Sequence, residues 1–418
     1  MVLDKKWFDA FTELLPPVDE FGVYESSIKI DIKGQNRFFE NDVENPRFLY
    51  KTRSTEQYNV EKFQALLERI KEQEDNEIVR ELYINKIKHQ LLRLEMLNAS
   101  VSKNDAIFYE KSVKLYGKPK RIYFAYIAKR IKYHAAQAES KEQKKAARNL
   151  LKVFSKIETK LCAIDPDILP PPILDKGKAI TALEVKDIFE ETLQRYNVTD
   201  WSVMIDIKCE RSIFAASQRY KIVYIPCDEQ LNNRPQKFTA LQAEALAEHE
   251  IGVHVRRAFS GARSPLSLLS IGLHGYLSGE EGIASFIQQQ TEGATEFYGF
   301  HRYLAACLAT GMDGEKRDFR AVYNLLYDYF VLISEPGYEV KKAQIFAWNT
   351  CVRIFRGTTA KKAGYIFTKD ILYLEGNIEI WNEIIKKPDI LPSYFVGKYN
   401  PLIKEHVIAL TKLGILTD

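Results

Sequence analysis

The stretch TALQAEALAEHEIGVHVRRAFSG, Thr239 to Gly261, decides how this chain is read. It opens with Thr239-x-x-Gln242, the pattern of a capping box, in which a hydroxyl and an amide satisfy exposed backbone donors at a helix start. It closes on Gly261, a residue suited to end a helix. HEIGVH, His249 to His254, therefore lies inside a helix. In the H-E-x-x-H pattern two imidazoles on one helix face bind zinc and the adjoining Glu acts as general base. Here the spacing is one residue longer. At about 100° per residue, positions five apart differ by roughly 140° around a regular helix, so His249 and His254 share a face only if the turn is widened. A local π-type bulge is expected. Gly252, in mid-helix where Gly costs roughly 1 kcal/mol against Ala, marks either that deformation or the close approach of another backbone.

A catalytic zinc keeps three protein ligands and a water, so the third ligand comes from another element. The candidate is SGEEGIASF, Ser278 to Phe286. Ser278 or Gly279 opens a helix there, and Glu280 or Glu281 projects from its first turn toward the His pair. A structural reading competes, because Ser278-x-x-Glu281 is itself a capping-box pattern.

HEIGVH followed by EEGIA resembles the microtubule-associated tyrosine carboxypeptidase (MATCAP) family, zinc metallopeptidases with an H-E-x-x-x-H helix and a downstream Q/E-E-G-L/I-A segment. Bacterial members are often labelled by that second motif, as QEGLA proteins. RIFRG at Arg353 to Gly357 and FTKDILYLEG at Phe367 to Gly376 resemble later family segments, so the likeness runs from about Pro170 to Gly376. It implies His249 and His254 as imidazole ligands and Glu250 as the catalytic carboxylate. Glu281 is then the third ligand, being the Glu common to both spellings of the motif, while Glu280 holds the position that varies. The implied cofactor is Zn2+, and the implied reaction removes a C-terminal residue from a peptide or protein tail, of which an acidic tail is one form. The implied fold is α+β, mainly helical, with a gluzincin-like metallopeptidase domain and a small β-sheet.

A carboxypeptidase also has to recognise a terminal carboxylate, which a planar guanidinium does through paired charge-assisted hydrogen bonds. Arg353, Arg356 and Lys369 are the candidates, and the Tyr373 phenol is a neutral donor suited to a developing oxyanion.

The remainder of the chain sets the frame. At 418 residues it is long enough for more than one core. Apolar residues at 46% and charged residues at 28% describe an ordinary folded protein. Helical stripes run through Val60, Phe63, Leu66, Leu67 and Ile70, through Ile84, Ile87, Leu91 and Leu94, and within Ile122 to Ile131. Ile28, Ile30 and Ile32 alternate with polar residues as a short extended opening. AIDPDILPPPILDK, Ala163 to Lys176, excludes helix by its prolines, dividing a helical N-terminal region, 1–165, from a catalytic domain, 166–418. Beyond it Ile180 to Arg195 reads as helix, and WSVMIDI and RYKIVYI read as strands, the first with Trp201, Val203, Ile205 and Ile207 on one face.

The five cysteines are odd in number, scattered and free of Cys-x-x-Cys, which predicts reduced thiols. No run of about 18 apolar residues occurs, and the opening lacks a basic stretch followed by an apolar one. A cytoplasmic protein without membrane partner is expected. The charge of +4, from 60 basic and 56 acidic residues, does not by itself imply nucleic acid. Lys111 to Lys160 is locally basic, however. It supplies the alternative reading, a non-catalytic module on the same fold that holds an acidic partner.

Overall fold

The apolar stripes of the first half fold as helices that bury them. Residues 2–15, 32–48, 60–160, 162–175, 177–209, 213–234, 237–335 and 340–417 are described by the computed structural model. The opening helices are α1 (Lys5–Leu14), α2 (Ile32–Phe39), α3 (Val60–Gln73), α4 (Glu77–Val101), α5 (Asp105–Tyr116), α6 (Arg121–Ala136) and α7 (Lys141–Phe154). Phe63, Leu66, Leu67 and Ile70 of α3 are buried, as are Ile84, Ile87 and Leu94 of α4. Ile28 and Ile30 of the expected extended opening lie outside the described residues, and Ile32 instead begins α2.

Past the prolines come α8 (Ala182–Arg195), strands β1 (Ser202–Ile205), β2 (Ala215–Ser217) and β3 (Ile222–Ile225), and the short α9 (Asp228–Asn232). Thr181 and Glu184 cap α8 reciprocally, which fixes its start. The sheet has the order β1-β3-β2, with β3 parallel to β1 and antiparallel to β2. One face of it packs on helices, Val203, Val223 and Ile225 joining Val185, Phe189, Ile251 and Val255 in one core. Ile207 departs from the expected strand face and is 86% exposed. The strand has already ended, and Cys209 N–H turns back to Asp206 O at 2.9 Å.

The expectation of five reduced cysteines is corrected here, because Cys209 and Cys227 form a disulfide. Being parallel neighbours, β1 and β3 deliver their following residues to the same end of the sheet. The two Cα atoms there are 5.6 Å apart, within the usual range for a bridge. Cys307 and Cys351 are buried free thiols and Cys162 is partly buried.

α10 (Ala240–Ala247) continues through a π-helical segment, Glu248–Val255, into α11 (Arg256–Arg263). α12 (Leu268–Ile271), α13 (Leu277–Glu292), α14 (Phe300–Thr310), α15 (Phe319–Leu332), α16 (Val340–Phe355), α17 (Ile371–Lys386) and α18 (Lys404–Lys412) follow. The chain is thus mainly helical with a small sheet, an α+β protein.

Two large cores draw on both ends of the sequence. In one, Ile127, Leu150 and Phe154 pack with residues of α13 to α17. In the other, Trp7, Phe63, Tyr83 and Leu94 pack with Leu268, Phe367 and Leu410. Regions 1–165 and 166–418 therefore share their cores. No helix among the described residues is long and apolar enough to cross a membrane.

Candidate metal centre

The five-residue spacing of the His pair is taken up by the π-helical segment, whose closing bond runs from Arg256 N–H to Ile251 O. Such i→i+5 bonding widens the turn, so residues five apart come to lie one above the other. Ile251 and Val255 face the sheet core while Val253 faces the larger helical core. Wedged between them, the segment turns both imidazoles to one side, with ring centroids 5.0 Å apart. Gly252 belongs to this device, since a Cβ there would stand 2.5 Å from Glu248 Oε2 and 3.3 Å from the Tyr196 ring. The space it leaves is filled by Glu248, which accepts a 2.6 Å hydrogen bond from the Tyr196 hydroxyl.

The capping box at Ser278 does not form. α13 begins at Leu277 after Tyr276, with no side-chain cap, and the Glu281 carboxylate is directed elsewhere. What places it is the crossing of α13 with α17. A Cβ on Gly282 would lie 2.4 Å from Gly376 O, and one on Gly376 would lie 2.1 Å from Ser278 O. The two glycines let the helix backbones touch, which explains the Gly of EEGIA and that of LEGN together. This seam sets Glu281 beside the π segment. Its Oε2 is 4.0 Å from His249 Nε2 and 3.9 Å from His254 Nε2, and one donor atom from each of the three lies within 4.8 Å of the others.

Those gaps are too long for hydrogen bonds. Tetrahedral bonds of about 2.0–2.1 Å hold ligand atoms about 3.4 Å apart, so a shift of about half an ångström per donor would let the set hold a divalent cation. Two further observations fit. His254 Nδ1 is 3.0 Å from Glu280 Oε1, which assigns a proton to Nδ1 and turns Nε2 to the centre. Burial works against a second proton there, but Glu280, Glu281 and Glu250 outweigh it and raise the His254 pKa, a charge that a cation on Nε2 would replace. His249 Nδ1 is buried without a conventional hydrogen bond, as is Oε1 of the neighbouring Gln288, and a cation on Nε2 would fix a proton on Nδ1 for that amide to accept.

The adjacent glutamates have different fates. Glu280 is 1% exposed, and burial works against its charge. Lys398 at 3.2 Å, Arg257 and His254 more than offset this and hold its carboxyl well below the usual range. Glu280 is thus consumed by its neighbours, and Glu281 is the carboxylate left facing the His pair. Glu250 has its pKa raised by burial and by Glu281, against the pull of His254 and Lys398. Burial pushes His249 down to about 3, with His254 adding to it. An imidazole so placed is neutral at ordinary pH, the state a cation requires.

A paired-His turn, a carboxylate facing it and a glycine seam that joins them correspond to the two motifs, and the comparison with protein families agrees. The profile described as microtubule-associated tyrosine carboxypeptidase matches residues 36–418. The chain belongs to that family. Neither a curated protein nor a solved structure matches it. Membership in a carboxypeptidase family gives the reaction class, a hydrolase acting on a peptide terminus.

The structure brings Tyr373 to the trio and gives the other expected substrate residues different surroundings. The Tyr373 hydroxyl is 3.3 Å from Glu281 Oε1, and burial together with Glu281 raises its pKa. Arg353 makes a two-pronged contact with Asp370, at 2.6 and 3.1 Å. Arg356 is 3% exposed and reaches the same carboxylate at 3.4 Å. Burial opposes the charge of Asp370, but these guanidiniums hold its pKa well below the usual range. Lys369 lines a cavity of about 1100 Å³ beside Lys86, Arg93 and Tyr276, in a wall that includes none of the trio.

Part of the basic stretch 111–160 is also engaged. Lys111 pairs with Glu95, Lys120 with Glu375 and Arg130 with Glu296. Arg257 and Lys398, which neutralise Glu280, escaped the sequence reading. Arg257 had a local signal in its position three residues after His254, and Lys398, more than a hundred residues away, had none.

Proposed function

We propose that this family member is a zinc-dependent metallo-carboxypeptidase of gluzincin type that removes one residue from the C-terminus of a peptide or protein tail. His249, His254 and Glu281 would hold the ion and Glu250 would be the general base. The observation that carries the reading is the facing of two imidazole Nε2 atoms and one Glu281 oxygen at about 4 Å, on a helix turn widened for that purpose. When bound, zinc supplies Lewis acidity at the scissile carbonyl and a water of lowered pKa.

Glu250 takes the proton of the attacking water and passes it to the leaving amine. Its burial favours the protonated form needed for the second transfer, with Glu281 acting in the same direction and His254 and Lys398 against it. The Tyr373 phenol, within 3.3 Å of Glu281, is placed to donate to the oxygen that gains charge. Glu280 holds the His254 ring through Nδ1 and so fixes which nitrogen meets the cation. The family description names a tyrosine carboxypeptidase associated with microtubules, and a protein tail ending in a free carboxylate is the substrate class we infer for this chain.

Incubation with mixed peptides, read by mass, tests this. Loss of a single C-terminal residue, abolished by a chelator and restored by zinc, is expected. Internal cleavage, or trimming that persists without metal, would contradict it.

A further inference from the structure

The two arginines that sequence offered for terminal carboxylate binding are held by Asp370, which leaves that role open. One guanidinium beside the centre is held differently. Arg302 lies in the first turn of α14, after Gly299, whose φ of +85° and bare Cα admit the neighbouring helix. A Cβ on Gly299 would stand 2.7 Å from Tyr373 Cβ, so this glycine presses the start of α14 against that of α17. As a result Arg302 Cζ sits 4.8 Å from the Tyr373 ring centroid and 5.6 Å from that of Tyr298. Tyr298 in turn faces the His249 ring at 6.3 Å.

Stacking on two rings orients a guanidinium while leaving its in-plane N–H groups free to bond. Arg302 Nε is buried without a hydrogen-bond partner. No carboxylate of a described residue forms an ion pair with Arg302; Asp370 lies within its field but is already bonded to Arg353 and Arg356. The Arg302 charge also reaches His249. A half-buried, oriented guanidinium with an unpartnered Nε is suited to an anion that would complete it. Arg302 lies over the same Tyr373 ring whose hydroxyl is 3.3 Å from Glu281 Oε1, and the anion to be met is close to the scissile bond, because a single extended residue spans roughly 3.3–3.6 Å.

We propose that Arg302 binds the substrate's C-terminal carboxylate and thereby makes the enzyme an exopeptidase. The proposal rests on the carboxypeptidase reading above. Tyr298 and Tyr373 act as positioning residues that hold the guanidinium plane.

The test compares wild type with Arg302→Gln and Arg302→Ala on one peptide carrying a free or an amidated C-terminus, each protein being checked for metal content and thermal unfolding. Loss of a charge-assisted pair worth about 1.5–3 kcal/mol corresponds to roughly 10- to 150-fold. The expected result is a fall of that size in kcat/KM for the free acid, carried mainly by KM, with the preference for free acid over amide lost. Added guanidinium should restore part of the activity of Arg302→Ala, which a purely structural role would not produce. Variants that keep the wild-type preference for a free carboxylate would overturn the role of Arg302 alone. A wild type that trims no peptide, or trims acid and amide equally, would overturn the carboxypeptidase reading and this assignment with it.

Discussion

Around Asp370 and around Glu281 the chain buries charge in two different ways, although the two regions touch through the start of α17. Asp370 is closed, its oxygens taken by Arg353 and Arg356. Glu281 is left open. Two imidazole nitrogens stand about 4 Å from it, beyond hydrogen-bond range, with the half-buried Glu250 alongside. The contrast repeats within the EE pair, where Glu280 is sealed by Arg257, Lys398 and His254. Charge that is fully paired maintains a fold, whereas charge left facing its neighbours without bonding them marks where chemistry is done.

The largest effect should come from the open region. Glu250→Gln keeps the size of the side chain and removes the base, so turnover should fall on the order of 10²- to 10⁴-fold with bound metal unchanged. Metal analysis alongside single-turnover kinetics checks both halves, and a variant that still turns over at the wild-type rate would remove Glu250 from the mechanism.

In the closed region the loss should appear as stability. Asp370→Asn leaves two guanidiniums without their counter-charge, a change that costs about 3–5 kcal/mol when a buried pair is broken. The sign with pH follows from its depressed pKa. The Asp370 contribution is present above the unfolded value of about 3.9 and is lost as pH falls below it. Denaturant unfolding should therefore show a gap between variant and wild type at neutral pH that narrows in acid. A gap of constant size would mean that Asp370 is not held as described.

The seam joining the two regions should give a smaller effect. Gly282→Ala forces a methyl against Gly376 O, and overpacking of this sort costs about 1–3 kcal/mol. Thermal unfolding should show the loss, together with weaker metal retention as Glu281 is displaced. Full metal retention at unchanged stability would show that the helices can part without consequence.

Much of the centre was legible because it is local. The one-residue excess in HEIGVH demands a wider turn, and the π-helical segment is that turn. The Thr239 capping box formed where the pattern placed it, with Thr239 Oγ1 accepting from Gln242 N–H. Glu281 was picked out by family resemblance, and the physical reason, that Glu280 is consumed by Arg257 and Lys398, lies in tertiary contacts.

What was illegible is non-local. Arg353 and Arg356 looked like carboxylate binders because nothing in RIFRG shows that Asp370, in a later segment, will claim them. Arg302 carried no motif at all, and its place depends on a left-handed Gly299 and on two aromatic rings. The strand β2, Ala215–Ser217, is built of small residues without alternation, and the Cys209–Cys227 bridge depends on a parallel strand pairing that spacing does not reveal.

Metal content measured by elemental analysis on purified wild type and on Glu281→Ala, after exposure to zinc and exhaustive dialysis, addresses the central claim most directly. The account predicts one zinc ion per chain in the wild type and almost none in the variant. Equal zinc in both proteins, or none in either, would contradict it.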